Sequence, residues 1–294
     1  MCDSYRVKTM VTLPAYLQGC LILSLSLLMG CNMVKLAYTN ADYFLLSYVD
    51  GYLDLTSAQK DYLRDRLTRR LEEHRREELL QAVEFLRFVK RSTVDGLSPR
   101  EIDALSSSAK RLYDTTVTNT IPVFTSVLTK LSNQQIKYLK QELKERNKEF
   151  RSKYLQEDHD ERLEARLERT LKRIKKWIGS VSNDQRKMIV DIMRIWPDMA
   201  PDWYEYRLAR QRGLLELLET KAPALEVEGY LIGWFVQQSG QTQAMRVQTG
   251  RLQQGLKMLL LALNSSLSEK QQVYFLKRID DFSSDLAALI IPAV

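Results

Sequence analysis

A single five-residue pattern recurs five times: an apolar residue, a hydroxyl, two variable positions, then Glu or Gln. It stands at Leu55-Thr56-Ser57-Ala58-Gln59, Leu97-Ser98-Pro99-Arg100-Glu101 and Leu131-Ser132-Asn133-Gln134-Gln135. It returns at Val181-Ser182-Asn183-Asp184-Gln185 and Leu267-Ser268-Glu269-Lys270-Gln271. A hydroxyl three residues ahead of Glu or Gln is a capping box. The hydroxyl accepts from the N3 amide, and the longer side chain returns to the N-cap amide. The leading apolar residue suits a hydrophobic staple, and a lost cap costs about 1 kcal/mol. Asp202 with Glu205 offers an aspartate-headed version after Pro201. The intervals of 42, 34, 50 and 86 residues are too irregular for a solenoid, so the pattern marks helix starts.

The rest of the chain agrees with an all-α fold. Apolar residues repeat at threes and fours, whereas strand-like alternation bounded by turn residues is hard to find. Leu36 to Val49 is aromatic-rich and helical in pattern. A long segment from about 57 to 90 carries Leu63, Leu67 and Leu71, then Leu79, Val83, Leu86 and Val89. Its middle, EEHRREE (72–78), reads as a solvated face. A second long segment runs from about 133 to 178. Its stripes, Ile136 to Tyr154 and Leu163 to Ile178, are separated by the wholly polar QEDHDER at 156–162. Unbroken, it would reach about 70 Å at 1.5 Å per residue. The helix therefore projects beyond the core there, bends, or breaks near Asp158. Shorter helices are expected near 183–196, 203–219, 225–238, 241–264 and 269–290. Leu252, Leu256, Leu259 and Leu263 form one core stripe among them. Gly51, Gly96, Pro197, Pro201 and Pro223 read as breaks. The expectation is an elongated multi-helix bundle with long helical hairpins. A soft boundary near Gly179-Ser180 divides it into 31–180 and 181–294, which is also readable as one continuous domain.

Residues 1–30 read as an export signal instead. Arg6 and Lys8 supply a basic start, and Cys20 to Met29 is an uncharged apolar run of ten, too short to span a bilayer as a helix. Leu28-Met29-Gly30-Cys31 then resembles the bacterial lipobox, in which the cysteine thiol takes a diacylglycerol and the signal is cut before it. Each buried methylene adds about 0.8 kcal/mol, so more than one chain makes such an anchor durable. Asn32 is not the aspartate that resembles an inner-membrane retention signal, which points to the periplasmic face of an outer membrane. Cleavage removes Arg6, Lys8 and Asp3 and leaves 42 basic against 36 acidic residues. That excess is too mild to argue for nucleic acid. Acidic lipid headgroups are the better counter-charge. Cys31 would be the sole cysteine left, and His74 and His159 stand 85 residues apart, so neither a disulfide, a thiol nucleophile nor a clustered metal site is expected.

With TyrxAsnAlaAsp at Tyr38, Asn40, Ala41 and Asp42, LeuThrxxGln at Leu55, Thr56 and Gln59, and the 131–155 segment, the chain resembles an uncharacterised family of proteobacterial outer-membrane lipoproteins. The resemblance implies an all-helical lipoprotein and brings no catalytic residues. Leu55, Thr56 and Gln59 also resemble, more weakly, the LTxxQ motif of periplasmic helical stress proteins and chaperones.

Candidate interaction residues fall in two places. Asp42, Tyr43 and Asp50 lie among aromatics just past Cys31, where carboxylates among rings suit sugar binding or an acid/base pair. Their bland reading is interfacial tyrosines with locally paired aspartates. Lys175, Lys176 and Trp177 end a basic run that suits an anionic membrane surface, or equally a helix C-terminus whose cations complement the dipole. His74 and His159 read as members of solvated, salt-bridged faces. No phosphate-loop, nucleophile-elbow, zinc-protease or dinucleotide motif is present, and no cofactor and no enzymatic activity are expected. The expected role is that of a non-catalytic interaction or structural factor of the cell envelope, engaging an envelope protein or lipid. The second reading is a chaperone-like or lipid-handling binder.

Overall fold

The computed structural model describes residues 32–291, with side chains from 34, so the signal at 1–30 and Cys31 lie outside the described residues. Among these, twelve helices and no strand are found. They are α1 (Asn32–Thr39), α2 (Ala41–Leu53), α3 (Ser57–Glu77), α4 (Leu79–Val94), α5 (Pro99–Leu128) and α6 (Asn133–Tyr154). Then follow α7 (His159–Ile178), α8 (Asn183–Arg194), α9 (Ala200–Glu219), α10 (Ala224–Phe235), α11 (Gln243–Ser266) and α12 (Glu269–Ala287). The fold is all-α.

All five capping boxes form, at the starts of α3, α5, α6, α8 and α12. Four of them do more than cap. Gln59 and Gln135 exchange amide hydrogen bonds, Nε2 to Oε1, at 3.3 and 2.7 Å. Gln185 and Gln271 do the same at 3.0 and 2.8 Å. Each Nε2 also donates to the carbonyl five residues before its partner: Lys130 for Gln59, Asp54 for Gln135, Ser266 for Gln185 and Ser180 for Gln271. Both Oε1 and Nε2 of all four glutamines are thus used, as the buried amides of Gln135, Gln185 and Gln271 require. The fifth box ends in Glu101, which has no amide to donate.

The two pairs organise two similar sets of four helices. In the first, α2 packs on α3 and α6, and α3 on α5. In the second, α7 packs on α8 and α12, and α8 on α11, in the same order of contacts. The helix pattern is therefore used twice, although its spacing along the chain is irregular. The first core holds Leu55, Leu63, Leu67, Val127 and Leu131, and extends to Val227 on α10. The second holds Leu167, Leu171, Ile189, Met193 and Leu259. A third cluster joins the first and last described helices, with Val34 of α1 and Leu79, Val83 and Leu86 of α4 against Ile279 and Phe282 of α12.

Several boundaries differ from the sequence reading. Of the three readings left open for the 133–178 segment, the break is the one found: α6 ends at Tyr154, and Asp158 caps α7 by accepting from Asp160 and Glu161 amides at 2.6 and 3.1 Å. The 57–90 segment is two helices meeting at Glu78. Gly51 lies inside α2, and the turn comes at Asp54, whose φ of 47° is left-handed. Leu256 is 41 % exposed and so leaves its stripe, whose inward side is carried by Leu259.

Candidate functional site

The most elaborate polar cluster of the described residues lies at the α3–α4 junction. Arg70, His74 and Glu78 are spaced i, i+4, i+8, which puts them on one helix face. Arg70 and Glu78 are only 6 % and 4 % exposed and form an ion pair. Glu78 also accepts from Thr116 Oγ1 at 2.6 Å and Asn119 Nδ2 at 3.0 Å, both on α5. Arg70 Nε donates to Thr120 Oγ1 at 3.3 Å. On the other side, the Tyr38 hydroxyl of α1 lies 2.5 Å from His74 Nδ1, and His74 Nε2 is 3.6 Å from Glu78 Oε2. The guanidinium of Arg75 sits 5.2 Å from the centre of the Tyr38 ring.

Electrostatics fix the charge states. Burial would raise the Glu78 carboxyl, but hydrogen bonds from Thr116 and Asn119 and the charges of His74 and Arg70 outweigh it and hold it below its usual value. Burial lowers His74, against the pull of Glu78 and with the push of Arg70. Burial raises the Tyr38 phenol to about 12. At neutral pH the chain is therefore phenol, neutral imidazole and carboxylate, with Nδ1 accepting from the phenol. This arrangement fastens α1 to α3, α4 and α5.

A pH dependence follows from His74. Its folded pKa is lowered, so it contributes stability that is complete above the unfolded value of 6.5 and is lost as pH falls through the folded one. Glu78, also lowered, contributes stability that persists to its unfolded value of 4.5 and is lost below it. Urea melts at pH 7 and pH 5 should show a loss that His74→Gln reduces. His159 is 67 % exposed, so an unchanged slope in that variant would refute the assignment to His74.

A second cluster gathers rings and arginines on α2, α6 and α9. Phe150 of α6 stacks on Tyr204 of α9 at 5.7 Å and lies 4.9 Å from Tyr154. Arg146 faces Tyr52 at 5.3 Å, and Arg207 faces Phe150 at 5.8 Å.

The residues singled out from sequence fall as follows. Asp42 is half-buried in the first turn of α2, and Tyr43 is 64 % exposed with its ring edge-on to Phe44 at 5.7 Å. Asp50 closes the α2–α3 turn, with Oδ1 accepting from Leu55 N at 2.9 Å and Oδ2 2.8 Å from Lys60 Nζ. Lys175 is exposed in the last turn of α7 before Gly179, and its carbonyl accepts from Gly179 N at 2.8 Å. Lys176 is half-buried, and burial together with Lys172, Arg173 and Arg278 lowers its pKa. Trp177 is half-buried too, its ring 6.0 Å from Phe275 of α12. No hydrogen bond or ion pair joins the α2 set to the α7 set among the described residues. His74, by contrast, faces inward and belongs to a buried cluster, contrary to the solvated face expected of it.

Among the described residues no group of three potential metal ligands occurs, and no helix is long and apolar enough to cross a membrane. A surface depression of about 520 Å³ between α4 and α12 is lined by Arg87, Lys90, Arg91, Asp280, Ser283, Ser284 and Ala287. There Lys90 is bound by Asp280 at 2.7 Å.

Paired glutamine caps and a buried ion pair bracing the helices define an all-α protein with a polar-stapled interior. The chain belongs to the family of unknown function DUF6279, whose model matches residues 51–232. That span runs from the end of α2 into α10 and includes Arg70, His74, Glu78 and the first glutamine pair. No curated protein and no solved structure matches the chain.

Proposed function

We propose that this protein is a lipoprotein acylated at Cys31, held at the periplasmic face of a proteobacterial outer membrane, where it acts without catalysis as an interaction or structural factor of the envelope. The observation that carries the reading is Leu28-Met29-Gly30-Cys31 closing a ten-residue apolar run. Two features support it. Helix α1 begins at Asn32, and its Val34 and Tyr38 are packed into the body, so a lipid on Cys31 would hold the whole molecule close to the bilayer. Leu36, Tyr43 and Phe44, all more than half exposed, follow within thirteen residues of the cysteine and suit an interfacial setting. Exposed Met258, Val273 and Tyr274 on α11 and α12 favour, as the second reading, a chaperone-like or lipid-handling binder.

The test is labelled palmitate in growing cells combined with crosslinking from the tethered protein. The wild type should incorporate label, and Cys31→Ala should carry none and accumulate as the uncut, heavier form. Label on Cys31→Ala refutes the anchor. A specific envelope partner lost on untethering supports the interaction role. Many unrelated clients, or lipid alone, transfer the assignment to the binder.

A further inference from the structure

Arg87, Lys90 and Arg91 of α4 line the depression between α4 and α12, at i, i+3 and i+4 and so on one helix face. Lys90 is held across the groove by Asp280 of α12, with its Nζ 2.7 and 2.8 Å from the two carboxylate oxygens. Arg87 and Arg91 are exposed, and neither guanidinium has a hydrogen bond or ion pair with the described residues. Like charges four apart on a helix repel, and Asp280 is the one carboxylate among the described residues that line the groove. The opposite wall carries Ser283 and Ser284. Their hydroxyls make no hydrogen bond among the described residues, whereas those of Thr93, Thr129 and Ser265 turn back to the carbonyl four residues earlier.

The groove thus sets three cations and two hydroxyls, drawn from two helices, against a single carboxylate among the described residues. A flat carboxylate is satisfied by one guanidinium fork, whereas a tetrahedral phosphate takes donors from several sides. The flanks of the groove point to the source of that phosphate. Leu80 and Val94, each about half exposed, stand seven residues before and seven after Arg87, on one stripe of α4. Glu84 is the acidic residue of that stripe, exposed one turn before Arg87. Apolar side chains flanking cations suit a lipid surface, where alkyl groups enter the acyl boundary and guanidinium groups stop at the phosphates. Beneath the groove, the core shared by α4 and α12 also holds Val34 of α1, the helix next to Cys31.

We propose that the groove between α4 and α12 binds the phosphate headgroup of an anionic phospholipid. Arg87 and Arg91 take the phosphate, Ser283 and Ser284 donate from the opposite wall, and Leu80 and Val94 meet the acyl boundary. The anion site stands on the groove alone, whereas the choice of a lipid rests on the membrane-anchored reading.

Native mass spectrometry tests it on the protein purified from its cells in an uncharged detergent, with phosphatidylglycerol or phosphatidylcholine added to the micelles. One phosphatidylglycerol should be retained, in preference to phosphatidylcholine, whose headgroup is neutral overall. Arg87→Gln/Arg91→Gln should lower its retention about tenfold or more, and Ser283→Ala/Ser284→Ala less, as loss of charged against neutral donors predicts. The charge-matched Arg64→Gln/Arg69→Gln, exposed on α3, should leave it unchanged. Circular dichroism checks that the arginine pair folds, and if it does not, the serine pair decides. The intact mass of the same sample reports acylation, so a missing acyl mass with the lipid still retained refutes the anchor and supports the groove. Equal retention of both lipids, or of neither, overturns the proposal, and so does equal loss in the two arginine pairs. Calorimetric binding of inorganic phosphate without lipid retention overturns it in favour of a soluble phosphoester.

Discussion

Replacing Glu78 with alanine should destabilise the protein by about 3–5 kcal/mol, the cost of leaving one member of a buried ion pair without the other. Arg70, 6 % exposed, would retain its contact to Thr120 and lose its counter-charge, while Thr116 and Asn119 would lose their acceptor. At about 2–4 °C per kcal/mol for a chain of this size, the midpoint of melting should fall by roughly 6–20 °C. The double change Arg70→Met/Glu78→Leu should recover most of that loss, because apolar replacement of both partners removes the desolvation along with the attraction. Scanning calorimetry reads both. A fall under about 1 kcal/mol for Glu78→Ala would mean that water or a neighbouring group replaces the carboxylate.

Leu63→Ala should cost about 2–5 kcal/mol, through lost transfer energy and the cavity left behind. Leu63 of α3 is fully buried, in the core that also holds Val127 of α5, Leu131 of the α5–α6 connection and Val227 of α10. Leu63→Met conserves volume and should cost under about 1.5 kcal/mol. Leu71 shares the same sequence stripe but is only half-buried, and Leu71→Ala should cost clearly less. Urea titration distinguishes these through the midpoint, with the slope held constant if the unfolding reaction is unchanged. Equal losses at positions 63 and 71 would show that the stripe, not the burial, sets the energy.

These two experiments bear on what was readable in advance. Five helix starts were legible because a capping box is local, a hydroxyl and a Gln or Glu three residues apart, whereas the version headed by Asp202 does not form: α9 starts at Ala200 with no side-chain cap. The break at Asp158 was only one of three open readings, because seven consecutive polar residues deny a buried face but do not by themselves end a solvated helix. Pairing of the caps was not legible, because Gln59 meets Gln135 and Gln185 meets Gln271 across 76 and 86 residues of chain. A signal was present all the same: the four boxes that pair end in Gln, and the one without this exchange ends in Glu. The Glu78 cluster was missed for a different reason. Read in order, EEHRREE is a run of charges. Read every fourth residue from Arg70, it is one face, and only packing against α5 and α1 turns that face inward. The ring and arginine cluster draws on three helices and has no linear signature.

The glutamine pairs also constrain how such a chain can drift. In each, one side chain's Nε2 donates to the other's Oε1, so a change at position 59 is felt at position 135 as well as at the cap of its own helix. A lone step to Glu brings a charge and removes a donor from a carbonyl five residues from the partner. A lone step to a shorter residue strands the opposite amide. Intermediate sequences are thus penalised, so two turns 76 residues apart are tied by two uncharged amides into one unit of permissible change.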